Sequence, residues 1–132
     1  MRPTADDWMH EAEDDLRAAE DLLQTGRFSR SVFLARQAVE KALKAGCREA
    51  QEEMPPKIHQ LRPLAEIAFG EAAEEIWNSL RVLEPHYIMP AYPSTELPRP
   101  SDSYERSDAE EAVTLCSELL MWVRGRLQES DS

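Results

Sequence analysis

The chain has 132 residues, enough for one domain that buries a hydrophobic core without needing disulfides or a metal ion. Its 26 acidic and 15 basic residues give a net charge of −11, which argues against general, nonspecific binding to nucleic acid. No apolar run is long enough to cross a bilayer, and the N-terminus has no apolar signal core. We therefore expect a cytoplasmic protein that does not associate with membranes.

Helical periodicity dominates the first half of the sequence. The first helix is predicted over residues 5–23, with Thr4 as its N-cap and Asp7 completing a capping box. Gly26 follows this helix at a position that favours a left-handed conformation. The second helix is predicted over residues 29–51.

The second half contains three further predicted helices, at 58–69, 71–83 and 108–128. A capping box at Ser107 is expected to start the last one. Before it, the stretch 85–102 holds five of the nine prolines, and we expect a long ordered loop packed over the helices. Strand-type alternation is nearly absent, so the chain is predicted to be an all-α bundle of four or five helices in a single domain.

A basic stripe distinguishes the second helix from the rest of this acidic chain. The segment 27–48 holds six basic residues and one acid. Its apolar residues share one arc of about 100° on an ideal helical wheel. The other side carries Arg30, Gln37, Lys41, Lys44 and Arg48. These residues are candidates for binding a nucleotide, the phosphates of RNA, an acidic protein or the chain's own acidic first helix. Alternatively, they are only the solvated side of a helix.

Residues that could support metal or redox chemistry are few. Cys47 and Cys116 lie far apart in different predicted helices, which favours buried thiols over a disulfide. The acidic residues of the first helix are not joined by a histidine or a further carboxylate that would complete a metal site. No metal or other cofactor is therefore expected.

Several segments, in this order and spacing, resemble the HEPN domain (higher eukaryote and prokaryote nucleotide-binding). The most specific is Gln37-Ala38-Val39-Glu40-Lys41-Ala42-Leu43-Lys44-Ala45. The others are Asp15-Leu16, Ala19, Leu22-Leu23, Gly26-Arg27-Phe28, Pro56-Lys57-Ile58-His59-Gln60-Leu61, Tyr87-Ile88-Met89-Pro90-Ala91-Tyr92-Pro93 and Tyr104. The resemblance covers nearly the whole chain. It departs from the family at Ala91, where relatives often carry the arginine of an Arg-Tyr-Pro motif.

The resemblance implies an antiparallel, up-and-down helical bundle that tends to form a homodimer. It also implies one of two roles. Many HEPN proteins are metal-independent endoribonucleases, often toxins encoded beside a small nucleotidyltransferase-type antitoxin. Others are non-catalytic and are thought to bind nucleotides or to act as accessory modules.

The catalytic branch of the family is marked by an arginine followed, four to six residues later, by a histidine. Arg81 and His86 have this spacing, and Tyr87 follows them. A histidine can accept the proton of a ribose 2′-hydroxyl, and a guanidinium can stabilise charge on the phosphate. Against this, Pro85 should turn the chain out of the helix, and Glu84 could simply pair with Arg81.

Three functions are therefore carried forward. The leading prediction is a nucleotide-binding accessory protein with a nucleotidyltransferase-type partner. Its phosphate contacts would come from the basic stripe together with Tyr87 and Tyr92. The alternative is an RNA endonuclease toxin that uses Arg81 and His86. The third is a non-catalytic dimerisation module.

Overall fold

The computed structural model describes residues 3–51, 55–86 and 103–130, and these ranges contain helices but no strand. The elements are α1 (Ala5–Gln24), α2 (Phe28–Gln51), α3 (Leu61–Phe69), a 3₁₀ helix (Gly70–Ile76), α4 (Trp77–Leu83), a 3₁₀ turn (Glu84–His86) and α5 (Arg106–Ser130). This confirms the prediction of an all-α bundle. Most of the predicted proline-rich loop lies outside the described residues. None of the described helices combines the length and the apolar character needed to cross a membrane.

The start and end of α1 follow from local sequence, as predicted. Thr4 Oγ1 accepts a hydrogen bond from the Asp7 amide at 3.1 Å, and Asp7 Oδ2 accepts one from the Thr4 amide at 2.8 Å. These bonds hold the pKa of Asp7 below its usual value. At the other end, Gly26 adopts a φ of +82°. This left-handed residue reverses the chain, so α2 runs back antiparallel to α1.

The central helix of the bundle is α2, which packs against α1, α3 and α5. Its interface with α3 is tight at Gly46, where an added Cβ would lie 2.6 Å from the ring of Phe69 and 2.7 Å from the Ala68 Cβ. Because three helices cover α2, the expected solvated side is largely absent. Of the five polar residues predicted to face solvent, only Arg30 is exposed.

Two predicted helices differ from the structure, and proline geometry explains the first difference. The third helix begins at Leu61 rather than at residue 58. An earlier start would press the ring of Pro63 against the carbonyl of His59, whereas a proline in the first turn is tolerated. The predicted helix 71–83 is also not uniform, since its first part is the 3₁₀ helix and only Trp77–Leu83 is α-helical.

The last helix begins two residues earlier than predicted, at Arg106. The predicted capping box at Ser107 is therefore wrong. Instead, Asp108 Oδ2 accepts a hydrogen bond from the amide of Glu105 at 2.8 Å. An acid in the first turn, reaching back to an amide before the helix, stabilises this end as part of a capping box does.

The two cysteines are buried, reduced thiols in different helices, as expected. Burial raises the pKa of Cys47 to about 11 and that of Cys116 to about 12. Both are therefore protonated at neutral pH and are unsuited to act as nucleophiles.

Candidate functional site

His86 ends the short 3₁₀ turn that continues α4. We expected Pro85 to turn the chain out of the helix. Instead, the backbone of Glu84 is helical, with φ −53° and ψ −43°, and the chain continues into the 3₁₀ turn. The His86 ring is half-buried, and its Nδ1 lies 2.8 Å from the Tyr104 hydroxyl oxygen. The two rings meet edge-on, with centroids 5.5 Å apart. The residues before α5 thus fix the orientation of this imidazole.

The surroundings of His86 favour its neutral form. Burial lowers the pKa of His86 and outweighs Asp108 and Glu111, whose charges act in the opposite direction, while Arg36 adds to the lowering. Burial also raises the pKa of Tyr104, so that phenol stays protonated. If His86 Nδ1–H donates to the Tyr104 oxygen, the lone pair of Nε2 is available to accept a proton. A half-buried neutral histidine of this kind is suited to general base catalysis.

Arg81 faces a different set of neighbours. It is exposed, and its Nη2 lies 3.3 Å from Asn78 Oδ1. It lines a surface groove together with Arg62 and Trp77. Among the described residues, no contact joins Arg81 to His86. The alternative that Glu84 pairs with Arg81 is also wrong, because Glu84 is engaged by Arg36 and the Leu61 amide.

The partner of Glu84 is Arg36, a residue that the sequence analysis did not single out. Arg36 is 1% exposed. Its Nη2 donates to Glu84 Oε2 at 2.6 Å and to the carbonyl of His59 at 2.7 Å, and its Nε lies 3.4 Å from the Glu84 carbonyl. Its Nη1 donates to Glu40 Oε1 at 3.0 Å. One guanidinium therefore connects α2 to the segment before α3 and to the turn that carries His86.

The two carboxylates around Arg36 are themselves saturated. Glu40 Oε2 lies 3.2 Å from Lys44 Nζ and 3.1 Å from His59 Nδ1. Glu84 Oε1 accepts a hydrogen bond from the Leu61 amide at 2.8 Å, so this acid caps the start of α3. We call Arg36, Glu40 and Lys44, together with their more exposed partners Glu84 and His59, the buried ion cluster. A signal for it exists in the sequence, since Arg36 follows Val32 by four residues and precedes Val39 by three.

The predicted basic stripe is mostly engaged within the protein. Lys41 Nζ lies 2.8 Å from Asp15 of α1, which matches the alternative that the stripe pairs with the acidic first helix. Lys44 belongs to the buried ion cluster, and Arg48 Nε donates to the Pro3 carbonyl at 3.1 Å. Gln37 is half-buried. Two further candidates, Tyr87 and Tyr92, lie outside the described residues.

Across residues 3–51, 55–86 and 103–130, no group of three or more histidine, cysteine, aspartate or glutamate side chains is placed to hold a metal ion. Three polar features bear on function: the His86–Tyr104 pair, the buried ion cluster that anchors the turn carrying His86, and the groove that contains Arg81.

The family profile of the HEPN domain matches residues 5–126 of this chain. The chain belongs to the HEPN family. It is similar to the crystal structure of TT1696 from Thermus thermophilus, with a TM-score of 0.78 and 28% identity over 92% of this chain and 96% of that one. It is equally similar in fold to ST0689, an archaeal HEPN homologue, with a TM-score of 0.78 and 26% identity over 96% of this chain and 98% of that one.

A relative in sequence is the Methanocaldococcus jannaschii protein named "Putative toxin MJ1304". It is 29% identical over 130 residues, which cover 89% of this chain and 84% of the relative. The shared HEPN fold and this relative are consistent with the family that the sequence motifs indicated.

Proposed function

We propose that this HEPN protein is the toxin of a toxin–antitoxin pair and that it cleaves RNA, with His86 as the general base. The observation that carries the proposal is the half-buried, neutral His86, held by Tyr104 at the end of the Arg81–His86 spacing. The sequence similarity to a protein named as a toxin supports the same role. A nucleotidyltransferase-type protein is the proposed antitoxin.

The proposed reaction is attack of a ribose 2′-hydroxyl on the adjacent phosphodiester. Nε2 of His86 takes the proton from the 2′-hydroxyl as its oxygen bonds to phosphorus. The bond from phosphorus to the 5′-oxygen breaks, and that oxygen takes a proton from water, while the hydroxide so formed takes the proton back from His86 and restores the base. The products are a 2′,3′-cyclic phosphate and a 5′-hydroxyl. A guanidinium beside the phosphate stabilises the charge that develops on its oxygens.

Arg81 is the proposed source of that guanidinium. Because Arg81 and His86 have different neighbours within one protomer, we propose that they meet across a homodimer. In this arrangement Arg81 of one protomer and His86 of the other would line one cleft, and two-fold symmetry would produce two such clefts.

The test replaces His86 by asparagine. Asn can keep a hydrogen bond to Tyr104 but cannot accept a proton at neutral pH. We expect induced expression of the wild type to arrest growth and His86→Asn to relieve the arrest. The purified variant should cleave labelled single-stranded RNA at least about 100-fold more slowly, as expected for loss of a general base.

The matched control is His10→Asn, because His10 is an exposed histidine on α1. It should be as toxic and as active as the wild type. A His86→Asn variant that folds and remains fully toxic would show that the proposal is wrong.

A second candidate is nucleotide binding at the basic stripe, by Arg30, Gln37, Lys41, Lys44 and Arg48. It is favoured because all five residues lie on α2 and because Arg30 is exposed. It is weakened by the contacts of Lys41 with Asp15 and of Lys44 with Glu40, which a phosphate would have to replace. Lys41→Glu combined with Lys44→Glu should abolish ATP or GTP binding measured by calorimetry if this function holds.

A further inference from the structure

A surface groove of about 250 Å³ lies between α3 and α4, on the side of α4 that carries Arg81. It is lined by Arg62, Trp77, Asn78, Leu80, Arg81 and Glu84. Two arginines and a tryptophan thus share one concave surface in a chain whose net charge is −11. This combination is typical of sites that bind the backbone and bases of single-stranded nucleic acid.

Arg62 is held in place by two neighbours. Its guanidinium carbon lies 4.0 Å from the centroid of the Trp77 ring, which is the geometry of a stacked cation–π contact. Its Nε lies 3.2 Å from Glu66 Oε1. These contacts leave the terminal nitrogens Nη1 and Nη2 as further donors, in a plane fixed by the indole. A preordered guanidinium loses less conformational entropy when it binds a phosphate.

The negative charge that borders the groove is largely offset. Glu84 is the acid in its lining, but Oε2 pairs with Arg36 and Oε1 accepts the Leu61 amide. Arg81 has the neutral Asn78 as its recorded partner. The lining therefore offers two cations, of which Arg62 also pairs with the exposed Glu66, a kind of surface pair that is weak in water. The carboxylate of Glu84 is already satisfied from behind.

We propose that this groove binds single-stranded RNA beside the cleaved phosphate, with Arg62 contacting the next phosphate along the strand and Trp77 holding the Arg62 guanidinium in place. This rests on the proposed function, in which Arg81 contacts the cleaved phosphate. Arg62 and Arg81 line the same groove, so one strand passing through it meets both guanidiniums.

The binding test uses fluorescein-labelled single-stranded RNA of twelve nucleotides and protein carrying His86→Asn, so that the RNA stays intact. Fluorescence anisotropy should show that adding Arg62→Ala weakens binding by about five- to twenty-fold. It should also reduce the slope of log affinity against log salt by about 0.7, the value for one lost phosphate contact on a single strand.

The matched control is Arg17→Ala. Arg17 is 62% exposed, and Arg62 is 61% exposed; each has a nearby acid on its own helix. Arg17 lies on α1, and its replacement should leave RNA affinity and salt slope unchanged. If Arg62→Ala and Arg17→Ala have equal effects, the inference is wrong.

Trp77 is tested by fluorescence. RNA should quench tryptophan emission in the His86→Asn protein, and Trp77→Phe should remove most of that quenching while Trp8 and Trp122 remain. Phe conserves an aromatic ring at this half-buried position, and circular dichroism checks that the variant folds. Quenching that persists in Trp77→Phe contradicts the assignment of Trp77.

Cleavage assays separate this inference from the proposed function. With otherwise wild-type protein, Arg62→Ala should lower kcat/KM for the twelve-nucleotide RNA but not for a dinucleotide, which has a single phosphodiester. If no protein cleaves RNA yet binding depends on Arg62, the proposed function is wrong and the groove is supported. If AMP binds as tightly as the RNA with the same dependence on Arg62, the ligand is a mononucleotide and the RNA assignment is wrong.

Discussion

Gly46 shows how much depends on a single missing side chain. It lies near the C-terminal end of α2, where α2 packs tightly against α3, and an added Cβ would be 2.7 Å from the Ala68 Cβ. The Phe69 ring cannot move away freely, because it packs edge-on against the Trp122 ring, with the two ring centroids 4.9 Å apart. Glycine is unfavourable inside a helix by about 1 kcal/mol relative to alanine, so packing rather than helix propensity explains its presence.

We predict that Gly46→Ala lowers the free energy of unfolding by about 1–3 kcal/mol, the usual cost of overpacking. The control is Gly125→Ala in α5, where an added Cβ meets no atom within 4 Å among the described residues. That variant should instead gain about 0.5–1 kcal/mol from helix propensity. Urea unfolding followed by circular dichroism measures both, and equal stability changes would contradict the packing argument.

His86 predicts a pH dependence of stability. Burial lowers its pKa in the folded protein below the ordinary value of 6.5, so the unfolded chain binds more protons in the pH range between the two values. The stabilisation from a neutral His86 is therefore complete above about pH 6.5 and is lost as the pH falls through the lowered pKa. The slope from one such group is at most about 1.4 kcal/mol per pH unit.

Thermal unfolding of the wild type and of His86→Asn should be compared between pH 5 and pH 8. The wild type should lose more stability than the variant on acidification, so the difference in Tm between them should be smaller at pH 5. His10→Asn provides the control and should follow the wild type. Parallel curves for the wild type and His86→Asn would contradict the lowered pKa.

At the scale of helices, the sequence predicted best where the deciding interactions are local. The limits of α1 depend on Thr4, Asp7 and Gly26, all within a few residues of the helix ends, and they were predicted correctly. The start of α3 is limited locally by Pro63, but the acid that caps it is Glu84, which is distant in sequence. A method that considers only neighbouring residues has no means of finding such a cap.

The candidate site was predictable to a similar degree. The spacing of Arg81 and His86 is visible in the sequence. The contact of His86 with Tyr104 is not, because it joins residues that are 18 positions apart in the chain. Arg36 shares a row with apolar residues of α2, which signals burial, but its partners His59 and Glu84 lie 23 and 48 residues away. Their convergence is a tertiary property.

The buried ion cluster predicts a large effect of one substitution. Arg36→Met has a similar size but leaves Glu40 and Glu84 without their shared cation. Breaking a buried ion pair by removing one partner costs about 3–5 kcal/mol. We therefore expect Arg36→Met to lower the free energy of unfolding by that amount. Arg17→Met, at an exposed pair, should change it by less than about 1 kcal/mol.

A second substitution at Arg36 distinguishes stability from positioning. Arg36→Lys keeps a positive charge but cannot make the forked contacts to Glu40, Glu84 and the His59 carbonyl. Arg36→Lys should therefore be more stable than Arg36→Met. Its RNA cleavage should still fall, because the turn that carries His86 loses its anchor. Unfolding and cleavage should be measured on the same preparation; stability and kcat that decline in proportion would indicate a structural role alone.

For the whole molecule, the ion pairs limit where the net charge can act. Cations of α5 pair with acids of other elements, Arg124 with Glu13 and Arg126 with Glu75. Lys41 likewise pairs with Asp15, so several cations form ion pairs between helices. The groove with Arg62 and Arg81 is thus a local exception on an acidic protein. The proposed binding of RNA to this groove should therefore be local and strongly dependent on salt.

The proposed sharing of sites across a homodimer predicts complementation between two inactive variants. Arg81→Ala and His86→Asn should each be inactive as purified proteins. Mixed by co-expression at equal levels, half of the dimers should contain one copy of each variant. In such a dimer one cleft combines both substitutions, and the other combines an intact Arg81 with an intact His86. The mixture should therefore recover about a quarter of wild-type RNA cleavage, with the oligomeric state checked by light scattering.

If Arg81 and His86 of the same protomer formed each site, every cleft in the mixed dimers would carry one substitution and no activity would return. A monomer in light scattering would likewise contradict the shared-site arrangement.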